Sequence, residues 1–287
     1  MNIPIIYFSS SNNTKYICEI VSRGLSSLGY SVQLIPIQKI DNYPSIIEES
    51  DCFGVGSPIY AMNFTPNIRE WMIKVAKKKN DSLAEKGFFL IDTNAGLPGG
   101  AISKAKQILT KRGLNFLGGL EITVPTFDSV FWVDYFKYVS WDKNKIKRAY
   151  YFGKRIGNIL KENKNIDNKE IVKEYRNMPL SGLLSHILGY IEPLFYKFIT
   201  KVMVHDFKKC NKCGICENLC PTNAINIDEN IFFDPEKCIF CFLCLRKCPK
   251  EANYLKIYPN AEFFKDPSQI KGYIDPSEIN FDLKESK

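Results

Sequence analysis

Eight of the ten cysteines fall into two copies of one spacing near the C-terminus. Each copy reads C-x2-C-x2-C-x3-C-P, and the members are Cys210, Cys213, Cys216 and Cys220 before Pro221, and Cys238, Cys241, Cys244 and Cys248 before Pro249. Three thiolates two residues apart on a tight loop can bind three irons of one cubane, and the fourth iron needs a thiolate from elsewhere. The spacing therefore predicts two [4Fe–4S] clusters and the transfer of single electrons.

In this motif the fourth cysteine of each run binds the cluster of the other run. One predicted ligand set is therefore Cys210, Cys213, Cys216 and Cys248. The other predicted set is Cys238, Cys241, Cys244 and Cys220. Such crossed ligation would join the two half-motifs into one small domain with pseudo-two-fold symmetry.

Zinc and disulfides are the alternative uses of so many cysteines. Zinc ribbons use two cysteine pairs rather than two runs of four, and they do not require a proline after each run. Disulfides suit secreted chains, but the N-terminal segment MNIPIIYFSSSNNT does not resemble a signal peptide. The pattern favours iron–sulfur clusters in a reducing cytoplasm.

Composition places the chain among globular proteins. It has 287 residues, 45% of them apolar, and a formal net charge of +8. No window offers 18 uncharged apolar residues, so we expect no membrane span. No basic run alternates with aromatic residues, so we infer no nucleic-acid binding. The positive charge suits an acidic partner.

The first half of the chain alternates strands and helices. Apolar runs at 3–8, SVQLIPI, DCFGVGS, GFFLID and within 114–124 predict strands, and helices are expected from about Asn13 and near 66–79, 99–112 and 143–162. GFFLID is apolar throughout, which is typical of the buried centre of a parallel sheet. The alternation predicts a doubly wound parallel sheet of five strands.

Ligands of such sheets bind beyond the carboxyl ends of the strands. The first strand is followed by Ser9-Ser10-Ser11-Asn12-Asn13-Thr14, whose hydroxyl and amide groups precede a helix N-terminus. They could hold a phosphate or merely cap the helix. Loops shaped by Gly and Pro follow the third and fourth strands at 56–63 and 93–100. No G-x-G-x-x-G follows the first strand, which weighs against a dinucleotide.

These three loops resemble those of flavodoxins, over residues 1 to about 160. The resemblance implies FMN, with its phosphate on Ser9, Ser11, Asn12, Asn13 and Thr14, and its ring flanked by Pro58, Ile59, Tyr60, Ala61, Asn94, Gly96 and Gly99. Many flavodoxins have Gly where this chain has Asn12, and the acidic character of free flavodoxins is missing. The whole chain resembles proteins that fuse a flavodoxin-like domain to a two-cluster ferredoxin of bacterial type, which implies a small α+β C-terminal domain.

We expect four segments. They are a flavodoxin-like FMN-binding domain at 1–162, a linker with apolar helices at 163–205, a 2[4Fe–4S] ferredoxin domain at 206–258 and an extended tail at 259–287. The aromatic insert at 125–141 either roofs the flavin or forms a substrate wall or docking patch. The apolar stretch at 180–205 is expected to pack between the domains; attachment to a membrane surface is the less favoured alternative.

The leading functional hypothesis is an electron-transfer flavoprotein. It would relay single electrons between two [4Fe–4S] clusters and FMN, and so couple one-electron carriers to a two-electron couple. The alternative is an FMN-dependent reductase of a small organic substrate, fed by its own ferredoxin domain, but no catalytic residue is assigned by motif. Basic residues surround the cysteines and suggest an acidic ferredoxin or flavodoxin as partner; they are Lys208, Lys209, Lys212, Lys237, Arg246, Lys247 and Lys250.

Overall fold

The fold is known from a computed structural model of the chain. It describes residues 2–42, 45–77, 86–96, 98–125, 140–162, 171–176, 202–227, 232–257, 266–279 and 281–282. The strands of the first half are β1 (Asn2–Tyr7), β2 (Ser31–Pro36), β3 (Cys52–Tyr60), β4 (Asn63–Phe64), β5 (Gly87–Asn94), β6 (Asn115–Thr123) and β7 (Val172–Glu174). The helices there are α1 (Asn13–Ser26), α2 (Pro66–Lys77), α3 (Ala101–Thr110) and α4 (Lys143–Lys161).

The central sheet has the order β2-β1-β3-β5-β6-β7, and every pair along this path is parallel. Its first five members give the 2-1-3-4-5 order of a flavodoxin-like doubly wound sheet, so the predicted fold class is confirmed. All eight residues of β5 are buried. This strand lies in the middle of the sheet, where its continuous apolar pattern is expected.

The two faces of the sheet carry separate apolar layers. One layer packs α1 and α4 against residues such as Ile5 and Phe89, and the other packs α2 and α3 against Phe53 and Leu90. Helices α1 and α4 approach so closely that a side chain at Gly24 would overlap the Tyr150 carbonyl. The buried sheet fixes the carboxyl ends of β1, β3 and β5 side by side.

The predicted count of five strands is approximate. The sheet has seven members because β4 pairs antiparallel with the end of β3, and β7 adds a parallel strand beyond β6. Strand β7 comes from the segment 163–205 that the sequence analysis assigns to a linker. Its single apolar anchor, Val172, is buried against the sheet. A three-residue strand with one apolar residue gives too little periodicity to be found in sequence.

The C-terminal domain is built from short elements around the cysteine runs. They are β8 (Met203–His205), α5 (Ile215–Asn218), β9 (Ile225–Asn226), β10 (Phe232–Phe233), α6 (Leu243–Lys247) and β11 (Asn253–Leu255). Strand β8 pairs antiparallel with β11, and β9 pairs with β10. The two halves repeat one another. The backbone carbonyls of Asp206 and Asp234 each accept the backbone N–H of the first cysteine of their run, at 3.1 and 2.9 Å. Strand β8 places residues 203–205 with this domain rather than with the linker.

The C-terminal tail is described over 266–279 and 281–282. The stretch 266–279 packs on the α/β domain with Ile270 and Ile279 buried. The Trp141 indole donates to the Pro267 carbonyl at 3.3 Å, and the Tyr16 hydroxyl donates to the Ile274 carbonyl at 2.8 Å. The sequence does not predict this burial, because the apolar residues of the tail are spaced among prolines without a helix or strand period.

Two other expected features lie outside the described residues. These are most of the aromatic insert, 126–139, and most of the apolar stretch, 177–201. Within the part of the chain that the structure describes, no helix is long and apolar enough to cross a membrane.

Candidate functional site

One cavity is lined by the first three cysteines of the first run and the last cysteine of the second. We call it the outer cavity, and its cysteines are Cys210, Cys213, Cys216 and Cys248. The Cys213 side chain is exposed, and the other three are only partly buried. Ile215 lines it, and the ring of Phe207, which is 58% exposed, contacts the lining residue His205. This cavity therefore faces solvent across a partly apolar rim.

The second cavity is lined by the first three cysteines of the second run and the last cysteine of the first. We call it the inner cavity, and its cysteines are Cys220, Cys238, Cys241 and Cys244. Burial, with a smaller contribution from the neighbouring Cys220 thiol, raises the pKa of Cys238 to about 11 and that of Cys241 to about 12. Four thiolates are unfavourable in such a place unless a cationic centre binds them. The donor set therefore fits an iron–sulfur core.

Backbone amides support the sulfurs of both cavities. The N–H of Ala224 donates to Cys220 Sγ at 3.1 Å, and the N–H of Ala252 donates to Cys248 Sγ at 3.3 Å. The N–H of Lys212 donates to Cys210 Sγ, also at 3.3 Å. Hydrogen bonds to cluster sulfurs stabilise their negative charge and tune the reduction potential. The equivalent bonds at Cys220 and Cys248 show the pseudo-symmetry of the two halves.

The spacing of the thiols bears on the zinc alternative. Among the described residues, no group of three or more His, Cys, Asp or Glu side chains is close enough together to hold one metal ion. A tetrahedral zinc site gathers its sulfurs about 2.3 Å from a single centre.

The inner cavity borders the α/β domain. Ile239, Cys241 and Leu243 join the apolar layer that α2 and α3 form on the sheet, and Ile59 and Tyr60 pack against the same layer. The loop that carries the inner cysteines therefore lies against the end of β3. The sequence analysis missed this contact. The signal that could have indicated it is the large apolar residues in both two-residue spacers of the second run.

Arg246 on α6 is the least expected member of this contact. Its side chain is only 3% exposed, and its Nη1 donates to the Cys241 carbonyl at 3.3 Å. Burial lowers the pKa of Arg246 to about 10, and the nearby Tyr60 oxygen opposes that shift. From sequence it belonged to a cluster of surface charges, whereas the fold buries it between a cysteine loop and the end of β3.

The predicted phosphate residues lie together between β1 and α1. They are Ser9, Ser11, Asn12, Asn13 and Thr14, and Asn12 takes a left-handed φ of 64° just before the helix. The Ser9 Oγ and the Asn13 Oδ1 are buried, and neither has a hydrogen-bond partner among the described residues. Orphaned buried polar atoms are costly unless a ligand satisfies them. The amide of Asn13 donates to the Pro125 carbonyl, which fixes its orientation.

The residues predicted to flank the flavin ring after β3 lie in a strand and a turn. Pro58, Ile59 and Tyr60 belong to β3 itself, and Ala61 begins a hairpin turn with φ of 46°. The segment is thus a β3–β4 hairpin rather than an open loop. The Tyr60 hydroxyl lies 3.3 Å from Ser10 Oγ, which brings the hairpin to the β1–α1 loop.

The third predicted loop follows β5 and contacts both others. Thr93 Oγ1 shares a 2.8 Å hydrogen bond with Thr14 Oγ1 of the β1–α1 loop. A side chain at Gly99 would overlap Met62 of the hairpin, so the close approach needs glycine there. All three loops meet at the carboxyl edge of the sheet.

Asn94 makes hydrogen bonds at the end of β5 and within the loop that follows it. Its amide donates to Asp92 Oδ1 at 2.8 Å, and its carbonyl oxygen accepts the Gly96 N–H at 2.8 Å. Gly96 has a φ of 105°. Complete burial raises the pKa of Asp92 well above its ordinary value, and the Asn94 hydrogen bond opposes this shift. Sequence analysis missed Asp92, because one carboxylate at the end of an apolar strand carries no motif.

The packed tail adds a carboxylate to this edge. Asn12 Nδ2 donates to Asp266 Oδ2 at 3.5 Å. A carboxylate beside a phosphate loop repels an anion, so Asp266 works against the helix N-terminus there. Sequence analysis missed this contact because 254 residues separate the two partners.

Comparison with protein families identifies the C-terminal domain. Residues 209–252 match the family described as 4Fe-4S dicluster domain, and this range contains all eight motif cysteines. The chain thus joins a flavodoxin-like α/β domain to a dicluster domain, as predicted. Two [4Fe–4S] clusters are its cofactors, and electron transfer is its general function.

Several solved structures are similar to a little over half of the chain. A flavodoxin from the domain Archaea is 18% identical, covers 56% of this chain and 99% of its own, and has a TM-score of 0.43. The Megasphaera elsdenii flavodoxin is 14% identical, covers 54% and 98% respectively, and has a TM-score of 0.41. A flavone reductase covers 63% of this chain and 69% of its own at 14% identity and a TM-score of 0.45. Likenesses this weak say nothing about ligands. Among curated proteins there is no significant match.

Proposed function

We propose that this protein is an iron–sulfur flavoprotein that passes single electrons between its two clusters and an FMN bound at the carboxyl edge of the sheet. Bound FMN would supply a two-electron couple, and each cluster would supply a one-electron couple. The chain itself would hold these centres in order, shield the inner cavity from water and offer the outer cavity to a redox partner.

The observation that carries the proposal is the contact between the inner cysteine loop and the strand-end hairpin. Ile239, Cys241 and Leu243 share one apolar layer with Ile59 and Tyr60. Tyr60 in turn lies 3.3 Å from Ser10 of the β1–α1 loop. A buried, continuous contact of this kind keeps two redox sites at a fixed short separation, which electron transfer between them requires.

Flavin binding is supported by the polar atoms of the β1–α1 loop. Ser9 Oγ can donate to a phosphate, and Asn13 Oδ1 can accept from a ligand hydroxyl. The helix N-terminus of α1 adds a favourable dipole. We assign the phosphate to the loop of Ser9, Ser11, Asn12, Asn13 and Thr14, and the ring to the side of the hairpin.

Cluster ligation is proposed to cross between the runs. The outer cavity would use Cys248 with the first three cysteines of the first run, and the inner cavity would use Cys220 with those of the second. Each cavity is lined by its proposed set.

The proposed partner is an acidic ferredoxin or flavodoxin that docks at the outer cavity. Lys208, Lys209 and Lys212 are exposed beside it. Ile215, which lines the cavity, and Phe207, which contacts the lining residue His205, provide exposed apolar surface there. Positive charge around an apolar centre matches the surface of an acidic electron carrier, and it accelerates encounter.

Cofactor analysis tests the proposal. Anaerobically purified protein should contain about eight iron and eight sulfide per chain, and acid extraction should release FMN. FAD, or a protein that takes up no flavin on reconstitution, would refute the flavin assignment. If FMN binds but the reduced clusters cannot reduce it in a single-turnover experiment, the relay is wrong and the two domains serve separate partners.

A serine substitution tests the flavin site. Ser9→Ala removes a donor to a charged phosphate, a bond worth about 1.5–3 kcal/mol, so FMN affinity should fall roughly tenfold or more. Ser31→Ala makes the same change at an exposed position at the start of β2 and should leave affinity unchanged. Equal affinities in the two variants would place the phosphate elsewhere.

A further inference from the structure

The turn between β3 and β4 has a backbone conformation that its own residues disfavour. Its two central residues, Ala61 and Met62, have φ angles of 46° and 62°, and Tyr60 pairs with Asn63 on either side of them. Two positive φ angles are typical of a type I′ turn, which prefers Asn-Gly. The left-handed conformation is unfavourable for residues that have a Cβ, so surrounding contacts must hold it.

A lysine from α3 provides such contacts. Lys104 donates from Nζ to the Met62 carbonyl at 2.9 Å and to Asn63 Oδ1 at 3.1 Å. Asn63 is buried, and its Nδ2 donates to the Ala61 carbonyl at 3.2 Å. Hydrogen bonds from a charged donor are stronger than neutral ones. Lys104 therefore satisfies one carbonyl of the turn and orients the amide that satisfies the other.

The same lysine connects the two segments that are predicted to flank the flavin ring. Ala61 belongs to the first segment, and the second contains Gly96 and Gly99 and leads into α3, where Lys104 is the fourth residue. Met62 lies so close to Gly99 that a side chain there would overlap it. Lys104 thus holds the hairpin and the loop after β5 together at the carboxyl edge of the sheet.

We propose that Lys104 is a positioning residue, which holds the Ala61–Met62 turn at the spacing from the loop after β5 that ring binding requires. The identity of the ligand rests on the proposed function, whereas the effect on the turn does not depend on it. Without the ammonium group, the turn loses the bonds that offset its unfavourable φ angles. Binding of FMN must then restore the turn, so its affinity falls.

The test is a titration with FMN of the full-length protein, purified anaerobically and freed of flavin. Lys104→Met removes the ammonium group and keeps the aliphatic chain, so FMN affinity should fall about tenfold with the loss of charge-assisted hydrogen bonds. Lys104→Arg keeps the charge and the donors and should retain wild-type affinity. Lys111→Met removes the same charge at the exposed C-terminal end of α3 and should leave affinity unchanged.

A glycine variant separates an effect on the turn from an effect of charge on the ligand. Met62→Gly introduces a residue that adopts positive φ without strain. In that background, Lys104→Met should lower FMN affinity by about threefold or less, because the two changes act on the same turn. The proposal is overturned if Lys104→Met lowers the affinity equally in both backgrounds, or if it behaves like Lys111→Met.

Hydrogen exchange of residues 59–64, measured by mass spectrometry without FMN, tests the turn by itself. Exchange should be faster in Lys104→Met and should keep the wild-type rate in Lys104→Arg. Wild-type exchange in Lys104→Met would refute the role of this lysine. If the wild-type protein binds no FMN, the proposed function fails, and the exchange rates still decide whether Lys104 holds the turn. If Lys104→Met does not fold, Lys104→Arg decides, because faster exchange or weaker binding in that variant would exclude the charged donor as the cause.

Discussion

The two cysteine runs have the same spacing and similar backbone conformations, but one is exposed to solvent and the other is buried. Lys212 and Phe240 occupy equivalent positions in the two runs and have φ angles of 55° and 56°. The first run fills its spacers with residues such as Lys212 and Ile215, and its cavity opens to solvent. The second uses Phe240 and Leu243, and its loop is buried against the α/β domain.

The difference shows how a duplicated motif can hold two non-equivalent centres. Binding of a cluster requires the cysteines and the positive-φ positions in both runs, because both loops surround the same type of iron–sulfur core. The residues between the cysteines touch the surroundings instead, and they decide which loop docks and which remains exposed. One centre can then exchange electrons with a partner while the other stays close to the proposed flavin site.

Removing the fourth cysteine of each run should have the largest effect. Cys220→Ala should cost the inner cluster, and Cys248→Ala the outer, so each variant should keep about four iron per chain. Resonance spectra of the two variants should be complementary. If each variant instead lost the cluster of its own run, the crossed ligation would be wrong and the comparison between inner and outer sets would have to be redrawn.

Matched truncations of equivalent residues test the burial. Leu243→Ala removes a buried side chain at the domain contact and should cost about 2–5 kcal/mol of stability. Ile215→Ala, at the same place in the exposed run, should change stability by no more than about 0.5 kcal/mol. Thermal loss of cluster absorbance under anaerobic conditions measures both. Similar losses of stability in the two variants would show that the contact with the α/β domain does not stabilise the inner loop.

Charge reversal at the outer rim tests the entry point. Lys208→Glu, Lys209→Glu and Lys212→Glu together should slow reduction by an acidic ferredoxin about tenfold or more at low ionic strength, with the rates converging at high salt. The control reverses three exposed lysines of the α/β domain, Lys39, Lys74 and Lys111. Stopped-flow measurements that slow equally for both triple variants would indicate a net-charge effect and no docking at the outer cavity.

The smallest effect is expected from placing an arginine in the outer run. Asn218→Arg puts a cation at the position equivalent to Arg246, but on an exposed site where solvent screens it. The reduction equilibrium of the outer cluster should change by about twofold or less, in line with about 0.5 kcal/mol for exposed charges. A change of about tenfold or more would mean that position in the motif, rather than burial, sets the potential.

The cysteine pattern and the alternation of strands and helices were sufficient for the broad architecture. A thiolate spacing is a local property, because the loop geometry around a cluster is set within a few residues of each cysteine. Strand and helix periodicity is local as well, so the parallel sheet was predictable. The short strand β7 was not, since its stability comes from pairing with β6 and from one buried residue, Val172.

The long-range contacts depended on the tertiary structure. Asp266 reaches Asn12 across most of the chain, and Arg246 is buried only because the inner loop packs on the end of β3. No local pattern separates a buried arginine from an exposed one among neighbouring lysines. The sequence by itself determined which atoms can bind iron; the packing of one domain on the other decided which cysteine set faces solvent, because burial is a property of the whole fold.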